Sequence, residues 1–155
     1  MSLTLQSGIA DAIGAHGIEA YPNECCGALI GRDGSVTHTV ALPNVTDEGP
    51  RRRFRVSDRD YLQCEKRATE LGGELLGFYH SHPDHPARPS QYDLDHALPF
   101  FSYIIVAVRA GTPEDMTSWR LREDRSVFDQ EQLTYAQHDQ HPDAAAPVHG
   151  QERVR

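Results

Sequence analysis

His80 and His82 are the residues around which chemistry can be built in this chain. They stand two apart in His80-Ser81-His82-Pro83, and side chains two apart on a strand point to the same face. Two imidazoles on one face, with a serine turned to the other, make two-thirds of a zinc site. Asp93 follows in the first turns of a helix that a proline-rich loop folds back, where it can supply a third ligand through oxygen. Two histidines and one carboxylate leave the fourth tetrahedral position to water, the feature that separates a catalytic zinc from a structural one. Water held there has a pKa of about 7 and acts as a nucleophile. Hydrolysis also needs a base that takes the water's proton and passes it to the leaving amine. Glu24 is the candidate, placed between Pro22 and the strand that opens at Gly27. A carboxylate at an element's end reaches over a sheet edge, but position along the chain does not fix nearness in space.

Other side chains in the same segment have simpler readings. His85 and His96 are read as bystanders, because a fourth protein ligand would close the site. Ser90-x-x-Asp93 is also the pattern of a capping box that opens a helix, and that role is compatible with a ligand role for Asp93. Cys25, Cys26 and Cys64 form no disulfide framework and no Cys-x-x-Cys pair. They are read as buried thiols in a reducing compartment. A cysteine nucleophile would need a neighbouring base and a depressed pKa. The run Arg51-Arg52-Arg53 with Arg55 is read as a solvated loop, the alternative being a patch that meets an acidic partner or a carboxylate.

Glu24, then His80-Ser81-His82, seven residues, Ser90, two residues and Asp93 resembles the metal motif of the JAMM family, the zinc metallopeptidases of the JAB1/MPN/Mov34 type. Every position of that pattern is filled at the expected spacing. Glu24-Cys25-Cys26-Gly27 is similar to the Glu-x-Cys-Gly segment of small prokaryotic members, and Gly77-Phe78-Tyr79 to their Gly-x-Tyr approach strand. The resemblance covers about Leu3 to Leu133. It implies a JAB1/MPN-like (cytidine-deaminase-like) architecture with one zinc ion per chain at the sheet edge. It implies His80, His82 and Asp93 as ligands, Glu24 as acid/base, and Ser90 as hydrogen-bond donor to the carbonyl oxyanion or the site water. It also implies hydrolysis of a peptide or isopeptide bond after the C-terminal Gly-Gly of a ubiquitin-like or sulfur-carrier protein. One activity described among such members releases a cysteine added to the carrier's end. Eukaryotic deubiquitinating members carry longer inserted loops than this chain has room for, which favours a sulfur carrier or ubiquitin-like protein over polyubiquitin.

The elements that must position these residues can be read from periodicity. Leu5, Ile9, Ala12 and Ile13 recur at helical spacing, predicting a helix over Leu3–His16 with Gly17 as its C-cap. Gly27–Ile30 and Ser35–Leu42 read as strands joined by the Asp33-Gly34 turn signal, and Phe54–Val56 as another short strand. Ser57 is the N-cap of a helix from Asp58 to about Leu71, stopped by Gly72-Gly73. Glu74–Ser81 is a central strand, Ser90–Ala97 a short helix and Phe101–Arg109 the most apolar strand. Met116–Arg122 is a further strand, and Val127-Phe128 with Leu133 a last pair. The expected fold is mixed α/β, with a single curved mixed sheet flanked by helices. Residues 1–135 form the metallopeptidase domain. Residues 136–155 form a tail without large apolar side chains, expected to be disordered. Its His138, His141 and His149 are read as solvated.

The whole chain bounds the function classes. At 155 residues it is expected to be one domain, long enough to bury about two-thirds of its unfolded surface. A formal charge of −8 argues against a nucleic-acid backbone as partner. The longest apolar run, Phe100–Ala107, is of strand length, so no membrane span is expected. The N-terminus lacks a signal-peptide pattern, which makes a cytoplasmic location the expectation. Two other readings stay open: a non-catalytic MPN-type interaction module, and a zinc amidohydrolase acting on small peptides.

Overall fold

The structure is a computed structural model that describes residues 2–46, 55–136 and 151–153. Two strands lie at its centre, β4 (Glu74–Pro83) and β5 (Ser102–Arg109). Both are almost continuously buried, as strands covered on two faces must be. They pair in parallel from Gly77 with Ser102 to Pro83 with Val108. Gly77 is required there, because a Cβ at that position would collide with the backbone carbonyl of Ser102.

The other strands extend this pair on both sides. β2 (Cys26–Arg32) runs antiparallel to β4, with Cys26 opposite His80. β3 (Ser35–Leu42) returns along β2 through Asp33-Gly34. Both turn residues have positive φ, 54° and 71°, which is what a two-residue hairpin turn of this hand demands. On the far side, β6 (Thr112–Leu121) and β7 (Phe128–Tyr135) continue antiparallel. β1 (Ser2–Leu5) lies parallel to β7 and also touches β3, with Thr4 opposite Ser35 and Leu5 opposite Val36. The mixed sheet read from the sequence is therefore present, and β1 additionally closes it on itself.

Three helices cover the faces. α1 (Ile9–Ala20) packs Ile9 and Ile13 against Leu29, Tyr79, Ile104 and Val106. α2 (Asp58–Glu70) covers the opposite face, placing Cys64 and Ala68 against Cys26, Ala28 and Phe78. Its N-cap, Ser57, accepts a hydrogen bond from the Asp60 N–H at 3.1 Å. α3 (Gln91–His96) lies on the α2 side and carries Asp93.

Several expectations from periodicity are corrected. Leu3 and Leu5 belong to β1, and the helix begins only at Ile9, after Gly8. Their period-two spacing fits a strand as well as the start of a helix. Gly17 is no cap. It lies within α1, where a Cβ would come within 2.9 Å of Val108. β6 starts four residues earlier than expected, because Ala110 and Gly111 take the positive-φ turn positions. Phe128 and Leu133 share one strand, β7, instead of forming a pair of strands. Arg55 and Val56 are not in a strand. Of the tail expected to be disordered, Gln151–Arg153 forms β8, parallel to β3 at Thr39–Ala41. Phe54, the Arg51–Arg53 run and the three tail histidines lie outside the described residues. Among the described residues no helix is long and apolar enough to cross a membrane.

Candidate metal centre

The centre forms where β4 ends. His80 and His82 project from one face, while Ser81 points to the other and accepts a hydrogen bond from the Cys25 N–H at 2.8 Å. The Ser81 N–H donates to the Cys25 carbonyl in return, at 3.1 Å. This continues the β2–β4 ladder one step beyond Cys26 and carries Glu24 to the level of His82. The Asn44 side-chain amide donates to the Glu24 carbonyl at 3.1 Å and holds the backbone there. In the sequence, the signal for Asn44 is its position just after Pro43, where side-chain amides often organise a turn.

Asp93 arrives from α3. The Ser90 Oγ accepts from the Asp93 N–H at 3.1 Å, and the Ser90 N–H donates to Asp93 Oδ2 at 2.8 Å, a complete capping box. The box aims the same Oδ2 at the histidines. It lies 3.3 Å from His80 Nε2 and 3.3 Å from His82 Nε2, and the two nitrogens are 3.1 Å apart. His80 and His82 are 2% exposed and Asp93 8%. Glu24, 3% exposed, offers a carboxylate oxygen within 4.8 Å of ring nitrogens of both histidines.

These distances fit a metal. Ligand atoms about 2.0–2.1 Å from a tetrahedral zinc stand about 3.3–3.4 Å from one another, close to the three separations found. The His82 Nδ1–H donates to the Pro86 carbonyl at 2.8 Å, leaving Nε2 as the inward lone pair. Such a bond on the outer nitrogen is the usual support of a metal-binding imidazole. Two ring nitrogens 3.1 Å apart beside a carboxylate oxygen form a donor set that suits a cation. His80, His82 and Asp93 are the residues that would hold it.

The electrostatics agree. Burial by itself would raise the Asp93 pKa, but the His80 charge and hydrogen bonds from His80, His82 and the Ser90 N–H outweigh it and hold the carboxyl well below its ordinary range. The thiols behave oppositely. Burial pushes Cys25 up to about 11 and Cys64 to about 12, and Cys26 well above its usual value. All three are neutral at pH 7 and carry no nucleophilic thiolate. His85 stacks on the His82 ring at 4.3 Å and binds the Pro83 carbonyl through Nδ1. Burial, then the neighbouring His82 charge, lowers its pKa. His96 stacks on Tyr92 at 4.0 Å and binds the Tyr92 carbonyl. Both rings are thus engaged away from the three converging atoms.

A cleft of about 460 Å³ opens beside His80 and Asp93. Its walls are mainly apolar, with Tyr61, Phe78, Tyr103, Ile105 and Phe128, and Arg55 and Asp58 also line it. The cleft was not read from the sequence. Its walls come from α2, β4, β5, β7 and the segments around α3, and no local spacing marks side chains that converge from so many elements.

The sequence pattern that describes prokaryotic homologues of the JAB domain matches residues 6–122, which includes all of these site residues. The chain belongs to that family. It is 33% identical over 110 residues to the desampylase of Haloferax volcanii, covering 66% of this chain and 78% of that protein. It is 26% identical over 120 residues to the CysO-cysteine peptidase of Mycobacterium tuberculosis, covering 77% and 82%. A solution structure of a protein from Desulfitobacterium hafniense matches with a TM-score of 0.75 at 33% identity, covering 91% of this chain and 99% of that one. The chain also matches tail tip assembly protein K of Escherichia phage N15, at 36% identity over 83 residues, but spans only 31% of its length. This JAB-domain chain thus carries the family fold together with a His-His-Asp cluster and an adjacent buried glutamate.

Proposed function

We propose that this chain is a zinc-dependent peptidase or isopeptidase that cuts the amide bond after the C-terminal Gly-Gly of a ubiquitin-like or sulfur-carrier protein. The observation that carries the reading is the convergence of His80 Nε2, His82 Nε2 and Asp93 Oδ2 at 3.1–3.3 Å, with the Glu24 carboxylate within 4.8 Å of the histidine nitrogens. The substrate class is supported by relatives named for such work: a CysO-cysteine peptidase, a desampylase and a probable TtuB-protein conjugate cleaving protease.

His80, His82 and Asp93 would hold the cation; the His82 Nδ1–H bond to the Pro86 carbonyl and the Ser90 N–H bond to Asp93 Oδ2 keep two of them in place. Zinc bound there would acidify a water and polarise the scissile carbonyl. Asp93 Oδ2 is near enough to both histidine nitrogens to share a metal with them. Glu24, with a carboxylate oxygen within 4.8 Å of both, is the group that would serve a bound water. Glu24 takes the attacking water's proton as the C–O bond forms, then gives it to the amine as the C–N bond breaks. Ser90 Oγ already accepts the cap hydrogen bond from Asp93 N–H, which leaves its own proton to donate to the oxyanion.

Intact-mass analysis tests the reading, using a zinc-loaded sample and a sulfur carrier extended by one cysteine beyond Gly-Gly. Loss of that cysteine with the native protein, and none with Glu24→Gln, is the expected result. Absence of cleavage in a sample of full zinc content would move the assignment to a different leaving group or to small peptides. A protein that binds no zinc would return it to a non-catalytic interaction module.

A further inference from the structure

The cleft beside the metal centre is larger than a Gly-Gly tail can fill, and its lining says what else enters. Glu24 is not among its lining residues. It reaches the histidines from the segment just before β2, on the side of β4 away from β5, whereas Phe78 on β4 with Tyr103 and Ile105 on β5 line the cleft. On the mechanism proposed above, which this inference rests on, the leaving amine must face Glu24, because Glu24 protonates it. The acyl half of the substrate then lies on the opposite side, in the cleft.

We infer that the cleft is an acyl-side specificity pocket that takes a large apolar side chain from the residue immediately before Gly-Gly. An extended chain advances about 3.3 Å per residue, which puts the third residue before the cut about 7–10 Å from the scissile carbonyl. The cleft of about 460 Å³ is lined by His80 and Asp93 at the metal centre and also by Tyr61, Leu98 and Phe128. Aromatic rings in mutual contact line it: Tyr61 stacks on Phe78 and Phe78 on Tyr103, with Phe128 edge-on to Tyr103. Leu98, 38% exposed, forms part of its border, and the Tyr103 hydroxyl fixes this segment by accepting the Leu98 N–H at 2.8 Å. Walls of this kind gain by desolvating an aliphatic or aromatic side chain and lose by burying a charge.

The test uses two series of peptides, X-Gly-Gly-Cys for cleavage and X-Gly-Gly for binding, with X as Leu, Phe, Ala or Asp, and the zinc-loaded full chain. Leu or Phe is expected to exceed Ala about 10- to 100-fold in kcat/KM and to bind more tightly by a similar factor, with Asp weakest. Phe128→Ala and the surface-tolerant Leu98→Asp should each flatten the series at X while leaving zinc content unchanged. Equal cleavage of all four peptides overturns the pocket and leaves the peptidase reading intact. No cleavage, but the same order of binding, retains the pocket and removes the peptidase reading. No cleavage together with no binding preference overturns both.

Discussion

At the residue scale the centre separates two carboxylates by environment. Asp93 is tied into a capping box and lies against both imidazoles, so it stays ionised and close. Glu24 approaches from the segment before β2, with a carboxylate oxygen within 4.8 Å of the histidine nitrogens. The two should therefore fail differently. Glu24→Gln is expected to keep one zinc per chain and lose about 100- to 10,000-fold in kcat, checked by elemental analysis beside a cleavage assay. His82→Ala is expected to lose the zinc itself, because it removes one ligand and the bond that anchors the centre to Pro86. Full metal content in that variant would exclude His82 from the ligand set.

At the element scale, the meeting of β2, β4 and α3 is what makes a site of separate residues. Gly77 and Ser57 test that scale in opposite ways. Gly77→Ala drives a Cβ into the Ser102 carbonyl where β4 and β5 pair, and is expected to cost about 1–3 kcal/mol or more. Because β4 carries both histidines, it should reduce zinc affinity too, visible by titration with a chromophoric chelator. Ser57→Ala removes only the cap of α2. It is expected to cost about 1 kcal/mol, a melting shift of about 2–4 °C, with kcat unchanged.

For the whole molecule, the buried thiols set an alkaline limit on stability. Folding holds Cys25 at about 11 and Cys64 at about 12, against an unfolded value of 9.0. Between those values the unfolded chain ionises and the native one does not. The unfolded state then binds fewer protons, so stability is fully present below about pH 9 and falls as pH rises toward 11–12. Denaturant titrations from pH 7 to 11 should show that decline. Replacing Cys25 and Cys64 by alanine should reduce it, with Cys26 left to contribute the remainder, whatever their cost at pH 7. An unchanged decline in the double variant would assign it to other groups.

The motif residues His80, His82, Asp93, Ser90 and Glu24 were readable in the sequence because their chemistry is carried by type and spacing. Local physics also marked the Ser57 and Ser90 caps and the Asp33-Gly34 hairpin, since each is settled within a few residues. The pattern at Leu3 and Leu5 misled, because two apolar residues two apart suit either a strand or a helix and only pairing with β7 selects the strand. Glu24 beside His82 could not be derived from spacing. It follows from the β2–β4 register that sets Cys26 against His80, and register is fixed by buried faces far apart in the chain. The aromatic cleft was likewise invisible, because its walls converge from separate elements only after the sheet has formed. The sequence thus specified the motif residues and the local caps, which are carried by residue type and spacing along the chain. The fold specified their separations, their burial and the pocket beside them, which depend on contacts between residues distant in sequence.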